Sequence, residues 1–85
     1  MSTRATEAII ALLRDRGETL AVAESLTGGG VGAAITAIAG ASDVFVGGVI
    51  AYQPSTKESL LKVAHSLIET HTVVSEEVAV AMADG

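Results

Sequence analysis

The sequence predicts an α/β fold that is either the first part of a larger sheet domain or a unit completed by another chain. Two observations carry this. Short apolar runs at Leu20–Ala23 and Val44–Ala51 read as strands, and the segment between them has helical periodicity, which makes a strand–helix–strand unit. Four or five helical segments surround these two strands, and a two-stranded sheet is marginal in water, so the sheet is short for its helices. We read residues 1–85 as a single, partial domain.

Ala5–Arg16 places Ile9, Leu12 and Leu13 at i, i+3 and i+4, with Glu7, Arg14 and Asp15 elsewhere on the wheel. That is an amphipathic helix, and Gly17 is its C-terminal stop. Leu20-Ala21-Val22-Ala23 is a buried strand that ends at Glu24-Ser25. Thr27–Ala39 carries Val31, Ala34, Ile35 and Ile38 at helical spacing. Gly28, Gly29, Gly30 and Gly32 inside that helix each cost about 1 kcal/mol relative to Ala, which predicts something pressed closely against its first turns.

Gly40–Asp43 is a turn cluster, and the β-branched run from Val44 to Ala51 is the second strand, ending at Tyr52. A connection of this kind predicts a right-handed parallel crossover. Ser55-x-x-Glu58 after Pro54 reads as a capping box opening a helix with Leu60, Leu61 and Val63. The pattern continues through Leu67 and Ile68 between Ala64 and His71. Ser75 caps a last helix with Glu76 and Glu77 at the positive end of its dipole and Val78, Ala79 and Met82 on its apolar side.

Composition excludes several classes of function. With 49% hydrophobic residues and a formal charge of −5 the chain is too apolar for intrinsic disorder. The absence of Cys removes disulfides, thiol catalysis and Cys-based zinc, and His65 and His71 alone make a poor metal set, so no metal and no cofactor is expected. Both His read best as solvated or structural. The five cations are scattered and Phe45 and Tyr52 are the only aromatic residues, which argues against nucleic acid as a partner. The N-terminal residues lack the apolar core of a secretory signal, so a cytoplasmic location is expected. Ser25–Ser42 is uncharged with Gly28 and Gly32 at a small-xxx-small spacing, but its four large aliphatic residues are too few for a membrane span. An unpaired edge on the Val44–Ala51 strand invites another chain, which predicts a homo-oligomer.

The chemistry concentrates in Ala23-Glu24-Ser25-Leu26-Thr27-Gly28-Gly29, at the passage from strand to helix. A hydroxyl there lies among backbone amides able to stabilise an oxyanion or hold a phosphate. Spacing alone leaves two uses open: a nucleophile, or an ordinary N-cap Ser with glycines for tight packing. In Tyr52-Gln53-Pro54-Ser55-Thr56-Lys57 the Lys falls in the first turn of a helix, where the dipole favours its neutral amine, as a general base requires. Tyr52 is placed to hydrogen-bond that amine or the Ser hydroxyl. A surface Lys and a sheet-anchoring Tyr are the plain alternatives.

These segments, with Val74-Ser75-Glu76-Glu77-Val78-Ala79, resemble the CinA C-terminal domain family, the nicotinamide-nucleotide amidohydrolases, through essentially the whole chain. The resemblance implies a three-layer α/β/α sandwich, of which this chain is the first part. It implies hydrolysis of the carboxamide of nicotinamide mononucleotide to nicotinic acid mononucleotide and ammonia, in pyridine nucleotide salvage. Ser25 then matches the nucleophile, Lys57 its base and Tyr52 a residue that assists the pair. The amides of Thr27, Gly28 and Gly29 are candidate oxyanion or phosphate contacts by position, and Glu24 is structural or electrostatic. Leu26 stands where many relatives have Cys. The family domain is nearly twice as long, and its second half carries a Gly/Pro-rich loop and basic groups that complete the nucleotide site. The competing reading is a catalytically silent nucleotide-binding, anion-binding or assembly module.

Overall fold

A computed structural model of the chain describes residues 2–85; Met1 lies outside them. The order is α1 (Thr3–Arg16), β1 (Leu20–Glu24), α2 (Gly30–Thr36), a 3₁₀ turn (Ala41–Asp43), β2 (Phe45–Ile50), α3 (Pro54–Leu61), α4 (His65–His71) and α5 (Glu76–Asp84). β1 and β2 form the two-stranded sheet. The Leu20 amide donates to the Val44 carbonyl at 2.8 Å and the Ala51 amide to the Glu24 carbonyl at 2.8 Å, so both strands run in the same direction. The architecture is mixed α/β with parallel strands, as the residue pattern predicts.

The chain divides into two compact units. One holds the chain up to Val22 with Gly29–Val49, the other Ala23–Gly28 with Ile50–Gly85. In the first unit Ile10, Ile35, Ala41 and Val44 form a buried cluster, flanked by Leu13, Leu20, Val22, Val31, Ile38 and Phe45. Fully burying an Ile or Val side chain stabilises by about 1.5–3 kcal/mol. α1 starts at Thr3, two residues before the sequence places it, because Ser2 caps it by accepting from the Ala5 amide at 3.1 Å. It stops at Gly17, whose φ of 66° is the left-handed cap that glycine adopts at little cost. The buried stripe of α1 is Thr6 and Ile10, with Leu13 half-buried, whereas Ile9 and Leu12 stay exposed. The expected face is therefore rotated by about one position. Thr6 is tolerated inside because its hydroxyl donates to the Ser2 carbonyl at 2.9 Å.

The Gly-rich helix is shorter than its periodicity suggests. α2 starts at Gly30, not Thr27, and ends at Thr36. Gly28 and Gly29 precede it with φ of 59° and 98°, values that favour glycine and end helical winding. A Cβ on Gly28 or Gly30 would meet no atom within 4 Å, so the expected close approach is absent at both positions, and the positive φ accounts for Gly28 instead.

In the second unit Ala51, Leu61, Val63, Ile68, Val78 and Met82 are buried, and α3, α4 and α5 contact one another. The anticipated capping box is not formed. Gln53 is the N-cap of α3 without a side-chain cap bond, and Pro54 occupies the first turn, where its fixed φ and missing N–H suit a helix start. Ser55 consequently sits inside the helix and exposed, and Glu58 turns to His65 instead. The Ser75 cap of α5 does form, accepting from the Val78 amide at 3.2 Å. α5 buries Val78 and Met82 with Ala81 half-buried; Ala79, expected on this face, is exposed. Among the described residues no helix is long and apolar enough to cross a membrane. The uncharged Ser25–Ser42 stretch is broken by turns on both sides of α2.

Candidate active site

The site lies within the second unit, where the end of β1, the segment after β2 and the first turns of α3 meet. β1 ends at Glu24, and the paired Ala51 amide fixes its carbonyl. Ser25 follows, half-buried, at the start of a turn that the Gly28 amide closes on the Ser25 carbonyl at 3.0 Å. That amide is committed to the turn. Gly29 belongs to the first unit, where its carbonyl accepts from the Ala33 amide at 2.9 Å.

Lys57 reaches this turn from α3 and is 1% exposed. Its Nζ lies 2.8 Å from Ser25 Oγ, 2.7 Å from the Ala51 carbonyl and 3.0 Å from the Tyr52 carbonyl. Burial disfavours the ammonium and pushes the Lys57 pKa below its usual 10.5. The direction is the one the helix dipole suggests from sequence, but the cause is desolvation.

The three oxygens around Nζ define what the amine can do. An ammonium has three N–H donors and a neutral amine has two and one lone pair. A carbonyl oxygen can only accept, so two carbonyls take both N–H bonds of the neutral amine. The lone pair is then left for the one neighbour that can donate, the Ser25 hydroxyl. This is the arrangement of a base aimed at a nucleophile.

Tyr52 enters through its main chain, while the residue is 71% exposed. Glu24 is 5% exposed, and Thr27 donates its hydroxyl to Glu24 Oε1 at 2.7 Å. The single hydroxyl proton of Thr27 is thereby used. The structure thus brings together Ser25, Lys57, Glu24, Thr27 and the Tyr52 carbonyl. It adds the Ala51 carbonyl, which no residue pattern could single out, because every residue carries the same group.

His65 stands on the surface between two carboxylates, with Nδ1 3.2 Å from Glu58 Oε2 and Nε2 2.9 Å from Glu69 Oε1. These hydrogen bonds, first that to Glu58, raise its pKa above 6.5. His71 Nδ1 lies 3.6 Å from Glu77 Oε2. Among the described residues no group of three or more His, Asp or Glu is arranged to hold a metal ion.

Comparison with known proteins agrees with the residue pattern. The chain matches the CinA C-terminal domain over residues 2–85. It is 58% identical over 77 residues to a CinA-like protein of Synechococcus sp. (strain RCC307), covering 91% of this chain and 18% of that protein. It is 56% identical over 77 residues to a CinA-like protein of Parasynechococcus marenigrum (strain WH8102), with the same coverage. Competence damage-inducible protein A (ComA) of Klebsiella pneumoniae superposes with a TM-score of 0.94 at 31% identity, over 98% of this chain and 52% of that one. Competence/damage inducible protein CihA of Agrobacterium tumefaciens gives 0.93 at 34% identity, over 98% and 50%. The chain spans about a fifth of the length of these curated relatives and about half of the solved chains. With the match running from residue 2 to residue 85 and the same fold found in solved relatives, the chain belongs to the CinA C-terminal domain family.

Proposed function

We propose that this chain carries the Ser-Lys site of a nicotinamide-nucleotide amidohydrolase, which converts nicotinamide mononucleotide and water to nicotinic acid mononucleotide and ammonia. The observation that supports it most is the 2.8 Å contact between Ser25 Oγ and the buried, carbonyl-held Nζ of Lys57. Lys57 takes the Ser25 proton as Oγ attacks the carboxamide carbon. The tetrahedral intermediate collapses with cleavage of the C–N bond, and the leaving nitrogen departs as ammonia with the proton returned by Lys57. Water, deprotonated by the same amine, then attacks the ester, releasing the carboxylate and restoring Ser25. The Thr27 amide is the proposed oxyanion or phosphate contact, since that of Gly28 is used within the turn and Gly29 belongs to the first unit.

The reaction is placed in the cytoplasm, in pyridine nucleotide salvage. The substrate's phosphate needs cations, and Lys62 is the second unit's only Lys or Arg besides Lys57. We therefore assign the rest of the nucleotide pocket to residues outside this chain, either the remainder of a family domain or a second copy.

The test is ammonia release from nicotinamide mononucleotide by the purified chain, with Ser25→Ala and Lys57→Ala alongside. Turnover lost in both variants is the expected result if a second copy completes the pocket. Turnover that survives Ser25→Ala overturns the assignment. A folded chain with no turnover, whose Ser25 nevertheless takes a fluorophosphonate label, assigns completion of the pocket to the remainder of the domain. A chain that neither turns over nor labels favours the silent binding module.

A further inference from the structure

We propose that Glu24 is the positioning residue for Ser25, acting through Thr27; the inference rests on the nucleophile reading above. The turn that presents Ser25 has little apolar packing of its own. Leu26 is 74% exposed, Thr27 is exposed, and Gly28 is in a left-handed conformation. Order in this turn therefore comes from polar contacts. One is the bond from the Gly28 amide to the Ser25 carbonyl. Another is the Glu24–Thr27 chord, which ties the residue before Ser25 to the residue two beyond it.

Glu24 suits this use for two reasons. Its main chain is already fixed to the segment after β2 by the Ala51 amide, so its side chain extends from a rigid anchor. At 2.7 Å the Thr27 hydroxyl donates a short hydrogen bond to the Glu24 Oε1. Lys57 Nζ is held in place by two carbonyls, so the reaction depends on Oγ being held equally well. A displacement of about 1 Å between reacting groups can cost about a hundredfold in rate. Glu24 thus acts on the geometry of the Ser25–Lys57 pair without touching substrate.

The experiment measures labelling of the full chain by a fluorophosphonate probe, with kinact and KI separated, for wild type, Thr27→Val, Thr27→Ser, Glu24→Gln and Ser25→Ala. Hydrogen exchange at the Gly28 amide is followed in each. Thr27→Val keeps the side-chain shape but removes the donor; kinact should fall about tenfold or more, with KI unchanged and faster Gly28 exchange. Thr27→Ser, which keeps the hydroxyl, should recover most of the loss, and Glu24→Gln, which keeps an acceptor without its charge, should fall between. Wild-type kinact or wild-type Gly28 exchange in Thr27→Val overturns the positioning role. Labelling that is absent from wild type, or that survives Ser25→Ala, overturns the nucleophile reading itself, an outcome distinct from the first.

Discussion

Lys57 Nζ and Ser25 Oγ are 2.8 Å apart although 32 residues separate them in the chain. The contact needs the end of β1 and the start of α3 to meet, and it needs a Lys to be almost fully buried. Burial lowers its pKa below 10.5, so the neutral amine is populated at lower pH than in a free Lys.

The pH dependence of Ser25 acylation follows from that direction. The rate should rise with pH as Lys57 loses its proton, with a midpoint below 10.5 and a plateau above that midpoint. In Lys57→Met the rate should fall by about 10²–10⁴-fold and lose this dependence. A wild-type midpoint at or above 10.5 would remove Lys57 as the base. Stability responds to the same group in the same direction. Between the folded pKa and 10.5 the unfolded chain binds more protons, so this group makes folding more favourable as pH rises through that window.

His65 has the other sign. Its contacts with Glu58 and Glu69 raise its pKa, so its contribution to stability is full below pH 6.5 and is lost as pH rises through the folded pKa. A proton NMR titration should give a His65 midpoint above 6.5 that moves down in Glu58→Gln. The thermal midpoint should fall more between pH 6 and pH 9 in wild type than in His65→Gln.

Two serines that look alike in sequence should differ in stability. Ser75→Ala removes a cap bond on α5 and should cost about 0.5–2 kcal/mol in denaturant unfolding. Ser55→Ala removes no cap bond, because the N-cap position of α3 is Gln53 and Ser55 lies exposed inside the helix, and should stay within about 0.5 kcal/mol. Equal losses would mean that the cap of α3 is misassigned.

Met82 packs α5 into the second unit at 6% exposure, and Met82→Ala should cost about 2–5 kcal/mol. Val80 is 56% exposed on the same helix, so Val80→Ala should stay within about 0.5 kcal/mol. The difference in urea midpoints between the two variants checks which side of α5 is internal.

Local chemistry alone writes several features of this chain. Gly17 ends α1 because a left-handed residue is needed there, and Ser75 starts α5 because its oxygen answers an unpaired amide within one turn. The apolar runs at Leu20 and Val44 become parallel strands, and the Ser25 and Lys57 segments fall at strand and helix ends, where a site can form. Tertiary structure decided the rest. Ile9 and Ile10 are equally apolar, and only packing selects Ile10. Pro54 and Ser55 both signal a helix start, and the ring of Pro54 takes the first-turn position. Lys57 is an ordinary cation on paper; desolvation and the carbonyls of Ala51 and Tyr52 turn it into an oriented base. Carbonyl oxygens are identical at every residue, so which of them surround an amine is settled only when distant segments fold together.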